Sequence, residues 1–136
     1  MTDNLNPSQR SKTIRAVKQK DSAPEKKVRS LCHQLGLRFR LHRKDLPGCP
    51  DLVFPKYRIC VFVHGCFWHQ HPNCIKSKRP QTNTEFWNQK LDRNIARDVE
   101  VRERLNELGW QVLTIWECET KQLDVLAALV GRIRRS

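Results

Sequence analysis

The sequence predicts a single α/β domain in which a mixed central sheet of three or four strands is flanked by helices. Three observations predict it. A chain of 136 residues suits one hydrophobic core. Helical periodicity recurs along it, and short runs of β-formers stand between the helical stretches. No internal repeat, linker or low-complexity block breaks this alternation into separate units, so residues 1–136 read as one domain.

The elements follow in order. Residues 8–20 read as a polar, basic helix with Ile14 and Val17 on one side. A second helix is expected over 24–35: Pro24 suits its first turn, Val28, Leu31, Cys32 and Leu35 form an apolar stripe, and Gly36 ends it. Leu37, Phe39 and Leu41 then alternate with Arg38, Arg40 and His42, the pattern of a half-buried strand. A turn at Leu46-Pro-Gly48 leads into a short strand over 52–54. The segment Ile59-Cys-Val-Phe-Val63 is apolar on both faces and predicts a central strand. Residues 65–84 show no periodicity and form an elaborate loop. The longest helix is expected over 84–108, with Trp87, Leu91, Ile95, Val99, Leu105 and Leu108 on its inner side and Gly109 as its cap. A strand over 110–116 and a helix over 122–134 complete the chain, with Trp110 and Trp116 assigned to the core.

Charge points to the partner. The chain holds 26 Lys+Arg against 14 Asp+Glu, a net +12 that favours a polyanion such as nucleic acid. The charge is clustered, at Arg10, Lys12, Arg15, Lys18 and Lys20 and again at Lys76, Lys78 and Arg79, as a phosphate track requires. No basic segment carries a strong apolar face, which argues against a membrane surface. The polar opening MTDNLNPSQR and the lack of a long apolar run lead us to expect a cytoplasmic protein. With no apolar surface stripe evident, a monomer is the expectation.

The stretch from His64 to Cys74 holds three histidines and two cysteines in eleven residues. Cys66, His71 and Cys74 can wrap a tetrahedral ion, and Cys118, just after a predicted strand, can supply a fourth ligand. Such a sulfur and nitrogen set suits structural Zn²⁺, although spacing alone leaves open which of the loop's residues bind. Cys32 and Cys60 read as small core residues, and Cys49 has no evident role. Asp51 opens a strand after a turn, where its carboxylate can hold Mg²⁺ for phosphodiester hydrolysis. His64 and His69, if spared by zinc, can move protons near neutral pH. Glu25 and Asp98 could join through space, though each is ordinarily a helix-surface charge. Phe67 and Trp68 are large apolar side chains in a polar loop: they either fold onto the core or wedge between DNA base steps. Trp87 is a third candidate wedge, although its stripe position assigns it to packing first.

The string Phe62-Val-His-Gly-Cys-Phe-Trp-His69 resembles the signature of very short patch repair (Vsr) mismatch endonucleases. So do Arg10-Ser-Lys12, Leu46-Pro-Gly48 with Pro50-Asp51, Thr84-Glu-Phe-Trp87, and Leu108-Gly-Trp-Gln-Val112 with Trp116-Glu-Cys118. These matches keep family order and cover roughly residues 8–120. The resemblance implies a bacterial, restriction-endonuclease-like (PD-(D/E)xK-related) fold that nicks one strand 5′ of the thymine in a T:G mismatch left by deaminated 5-methylcytosine. It implies Mg²⁺ on Asp51 and the main-chain carbonyl of Val63, and His69 as general base supported by His64, Glu25 and Asp98. It places Zn²⁺ on Cys66, His71, Cys74 and Cys118. Phe67, Trp68 and Trp87 would enter mismatched duplex from the major groove, and Ile14 and Val17 of the N-terminal arm (residues 1–20) from the minor groove, with Arg10, Lys12 and Arg15 on phosphates. Other mismatch-repair proteins are further candidate partners. Two competing readings stand beside this one: a restriction-type nuclease of unmismatched duplex, and a non-catalytic zinc-containing DNA-binding module.

Overall fold

The computed structural model describes residues 22–135. The expected helix over 8–20, and with it Arg10, Lys12, Ile14, Arg15 and Val17, lies outside them. Helix α1 (Ala23–Gln34) starts where Ser22 Oγ accepts the Glu25 N–H at 3.4 Å, with Pro24 in the first turn. Past its end Gly36 takes φ +75°, and the Leu37 N–H donates to Cys32 O at 2.9 Å. That cap consumes the start of the expected strand over 37–41. Only Arg40–Leu41 forms β1, while Leu37 is buried and Phe39 packs on Phe54.

Strands β2 (Leu52–Phe54) and β3 (Ile59–His64) are antiparallel, with Leu52 opposite Val61. Helix α2 (Thr84–Glu107) then crosses over to β4 (Gln111–Trp116), which runs parallel to β3 and pairs His64 with Trp116. The sheet order is β1-β2-β3-β4, a mixed sheet as expected. Helix α3 (Leu123–Arg134) closes the described chain. Val28 and Cys32 of α1 and Leu126, Leu129, Val130 and Ile133 of α3 pack on Ile59, Val61, Leu113 and Ile115. Leu105 of α2 covers the other face with Val53, Cys60 and Trp110. The result is a small three-layer α/β domain, with Cys32 and Cys60 in the core as read from sequence.

Three expectations are corrected. The inner face of α2 is Trp87, Leu91, Asn94, Asp98, Val101 and Leu105, whereas Ile95, Val99 and Leu108 are exposed. A run of i+4 steps drifts about 40° per step because a turn takes about 3.6 residues, so 95 and 99 walk off the face. Trp116 is half-buried beside two histidines rather than in the core. Finally, an apolar groove lined by Leu31, Leu35, Leu123 and Leu126 lies open between α1 and α3. No helix of the described residues is long and apolar enough to cross a membrane.

Candidate active site

Topology brings the chemistry to one end of the sheet. In the parallel β3–β4 pair His64 faces Trp116, so Cys66 and Cys118, each two residues further on, leave the sheet side by side. Because Leu52 faces Val61, Asp51 falls beside the last residues of β3, and its Oδ2 accepts the Val63 N–H at 2.8 Å. A cleft of about 820 Å³ opens there, lined among others by Glu25, His42, Asp51, His64, His69 and Asp98. Four polar or charged residues are buried among the described ones, and three of them (Glu25, His64 and Asn94) line this cleft. Buried polar groups cost stability unless partnered, so their concentration here makes this cleft the candidate site.

Glu25 is 3% exposed, at the start of α1. Its carboxylate is paired with Arg29, and His42 Nε2 lies 3.1 and 3.0 Å from its two oxygens. Burial raises the Glu25 pKa, but the bonds from Arg29 and His42 outweigh burial and hold it below the ordinary carboxylate range. Asp51 goes the other way. Burial, reinforced by the neighbouring Glu25 and only partly offset by the Val63 N–H, pushes its carboxyl up to about 7. Glu25, His42 and Asp51 together could hold a cation.

On the opposite wall His69 Nδ1 lies 2.7 Å from Asp98 Oδ2. The His64 ring stacks on His69 at 3.8 Å between centroids. Burial, helped by His69, lowers the His64 pKa to about 3, which keeps that ring neutral. Behind this wall Cys66, His71, Cys74 and Cys118 present ligand atoms within 4.8 Å of one another, a set able to hold a metal ion. Burial and the adjacent thiols of Cys118 and Cys74 push the Cys66 thiol up to about 12. The His71 ring is fixed by stacking on Trp116 at 4.3 Å. Phe67, Trp68 and Trp87 form a mutual aromatic cluster with centroids 5.1–5.9 Å apart, all half-buried. Trp87 is half-buried against the loop aromatics and is not part of the buried core.

A family model described as DNA mismatch endonuclease Vsr matches residues 2–76, over half of the chain. The chain belongs to the Vsr family. It is 48% identical to the DNA mismatch endonuclease Vsr of Escherichia coli, over 98% of this chain and 86% of that protein. It is 47% identical to the type II nicking enzyme V.XorIIP of Xanthomonas oryzae pv. oryzae, over 98% and 97%. The type II nicking enzyme V.NmeAIP of Neisseria meningitidis matches at 37% over 99% and 96%. Vsr membership makes the protein an endonuclease, a hydrolase acting on DNA.

Within this Vsr chain the structure gathers Glu25, Asp51, Val63, His64, His69 and Asp98 around one cleft, and the four sulfur and nitrogen candidates beside it. Sequence reasoning missed His42 and Asn94. Asn94 donates from Nδ2 to Trp68 O at 3.0 Å. A 3–4 spacing counted from Trp87 would have placed the polar Asn94 and Asp98 on the inner face, which is the available signal. His42 carried none, since strand alternation grouped it with the solvent-facing Arg38 and Arg40.

Proposed function

We propose that this Vsr-family endonuclease nicks one strand of duplex DNA on the 5′ side of the thymine in a T:G mismatch, which begins very short patch repair of deaminated 5-methylcytosine. The observation that carries the reading is one cleft holding the buried Glu25 beside the half-buried Asp51, a carboxylate-oriented histidine and an aromatic cluster. We read the fold as restriction-endonuclease-like, residues 1–136 as one domain with residues 1–20 as its DNA-contacting arm, and the working unit as a monomer.

Asp51 and the Val63 main-chain carbonyl are the proposed holders of Mg²⁺. The donor set fits: Asp51 is a hard oxygen ligand that burial leaves poorly stabilised as an anion. In a β-strand the N–H and C=O of a residue point to the same side, so the Val63 carbonyl faces the Asp51 edge as its N–H does. When bound, Mg²⁺ neutralises phosphate charge and stabilises the leaving oxygen. Asp98 holds the proton on His69 Nδ1, which frees Nε2 to take a proton from the attacking water. Neutral His64 stacks on that ring without adding a like charge when His69 becomes protonated. Glu25 sets the electrostatics around Asp51.

Zn²⁺ is the proposed occupant of the Cys66, His71, Cys74 and Cys118 set. Tetrahedral zinc with usual bond lengths holds sulfur and nitrogen about 3.6 Å apart. Cys66 Sγ and Cys118 Sγ lie 3.7 and 3.5 Å from His71 Nδ1. Phe67, Trp68 and Trp87 are the proposed wedge, with Ile14 and Val17 entering the minor groove and Arg10, Lys12 and Arg15 on phosphates. Unstacking is cheapest where pairing is already distorted, as at a T:G wobble.

The test is single-turnover nicking of oligonucleotide duplexes with one strand end-labelled at a time. The expected result is Mg²⁺-dependent cutting of the thymine strand of T:G duplex, far faster than of matched T:A or C:G duplex. His69→Ala should lose about 10²–10⁴-fold in rate. Equal rates on matched and mismatched duplexes would favour a restriction-type nuclease, and no cleavage in any flanking context a binding module.

A further inference from the structure

The aromatic cluster is assembled from two separate segments, the loop after β3 and the first turn of α2. Something must hold them in register. Two side-chain amides do so at the main chain. Asn94 of α2 donates to Trp68 O at 3.0 Å, and Gln70, in a left-handed conformation at φ +54°, donates from Nε2 to Phe67 O at 2.7 Å. Asn94 belongs to α2, but Gln70 belongs to the loop and needs its own tether.

Arg79 supplies it. Its Nε donates to Gln70 Oε1 at 2.9 Å, one terminal nitrogen to Asn88 Oδ1 at 3.0 Å, and the other to Asp92 Oδ1 at 2.8 Å. Asn88 and Asp92 are four residues apart on one face of α2, and Asn88 directly follows Trp87. The planar guanidinium therefore reads three acceptors at once and spans the loop and the helix, a geometry a lysine ammonium does not reproduce. Asp92 is 65% exposed although Arg79 is only 29% exposed, so the ion pair itself is open to solvent on its carboxylate side and contributes modestly to global stability. Its evident output is relative position.

We propose that Arg79 is a positioning residue that presets Phe67 against Trp87, and so governs mismatch discrimination without touching the reacting atoms. The proposal rests on the wedge reading given above. A wedge ordered in advance meets the mismatch without having to be ordered on binding. A displacement of about 1 Å at a distance from the chemistry can cost up to about 10²-fold in rate.

The experiment compares Arg79→Ala, Arg79→Lys and the double variant Phe67→Ala/Trp68→Ala with the parent full-length protein. Three quantities are read: the T:G to matched-duplex rate ratio under single turnover, the melting temperature, and the circular-dichroism exciton couplet of Trp68 with Trp87, whose rings lie 5.9 Å apart at 50°. Arg79→Ala and Arg79→Lys should each lower the rate ratio by about tenfold or more. Both should weaken the couplet in the DNA-free protein with the melting temperature unchanged, and Arg79→Lys, which keeps the charge, should bind matched duplex as the parent does. If the wedge double variant loses discrimination while both Arg79 variants keep ratio and couplet, the Arg79 proposal is wrong and the wedge stands. If the double variant also keeps its ratio, the wedge reading fails and the Arg79 proposal falls with it. A loss of ratio accompanied by a lowered melting temperature in both Arg79 variants would assign Arg79 to folding and overturn the positioning role.

Discussion

Asp51 is pulled two ways: the Val63 N–H favours its anion, while burial and the nearby Glu25 favour the acid, and the acid wins, with the carboxyl near 7 instead of the ordinary 3.8. A carboxyl whose folded pKa is raised binds its proton more tightly folded than unfolded. Its contribution to stability is therefore complete in acid and is lost as pH rises from about 4 through about 7. Asp51→Asn keeps an oxygen for the Val63 N–H and removes the penalised charge. In metal-free protein this variant should melt above the parent at about pH 8 and level with it near pH 4. Mg²⁺ should raise the parent's melting temperature at the higher pH but not the variant's. Calorimetry across the pH series reads both effects, and a parent at least as stable as Asp51→Asn at the higher pH would mean that Asp51 is not the strained group. Asp51 and His69 could be named as candidates because the family resemblance points to them by position, and one cleft is lined by both. His42 and Arg79 could not, because their partners Glu25, Gln70, Asn88 and Asp92 are brought to them by folding.

Elements decide how firmly these residues are held, and the turn before Asp51 is the tightest case. Gly48 adopts φ +73°, and a Cβ built there would meet Val101 Cγ1 of α2 at 2.4 Å. Both the backbone conformation and the close approach demand glycine. Gly48→Ala should destabilise the protein by about 1–3 kcal/mol, combining left-handed strain with overpacking. Adding Val101→Ala should leave the strain but remove the clash, so the double variant should be less destabilised than additivity predicts. Urea unfolding of the four species measures this, and additive losses would show that the turn does not bear on α2. The existence and type of α1, β2, β3, α2, β4 and α3 were readable from periodicity and punctuation. The face of α2 was not, because the polar Asn94 and Asp98 occupy inner positions that look onto the cleft rather than the core. Nor was the length of β1, since the Leu37 N–H goes to the α1 cap.

At the scale of the whole molecule, the mixed sheet explains why residues far apart in sequence serve one cleft. The antiparallel β2–β3 pair delivers Asp51, the parallel β3–β4 pair delivers Cys66 beside Cys118, and the α2 crossover between β3 and β4 carries Asp98 and Trp87 back across the same end. Hydropathy patterning could predict a mixed sheet but not this order, which depends on which strands pair. The net charge of +12 then acts on top of the fold. Exposed Arg93 and Arg97 lie on α2, and Arg97 lines the cleft. The basic cluster from Arg10 to Lys20 adds to them along the sequence. Phosphate contacts release counterions, so affinity for duplex should fall steeply with salt whether or not a mismatch is present. If Lys12 and Arg15 each contact a phosphate, Lys12→Ala and Arg15→Ala should each flatten the slope of log affinity against log salt by about one unit. The ratio of T:G to matched affinity should stay nearly constant in both variants, because phosphate contacts position the protein and carry no base information. Fluorescence anisotropy titrations at several salt concentrations, with Mg²⁺ omitted so that no strand is cut, measure slope and ratio together. Unchanged slopes in both variants would remove the segment before α1 from the DNA track and leave the charge of α2 to account for binding.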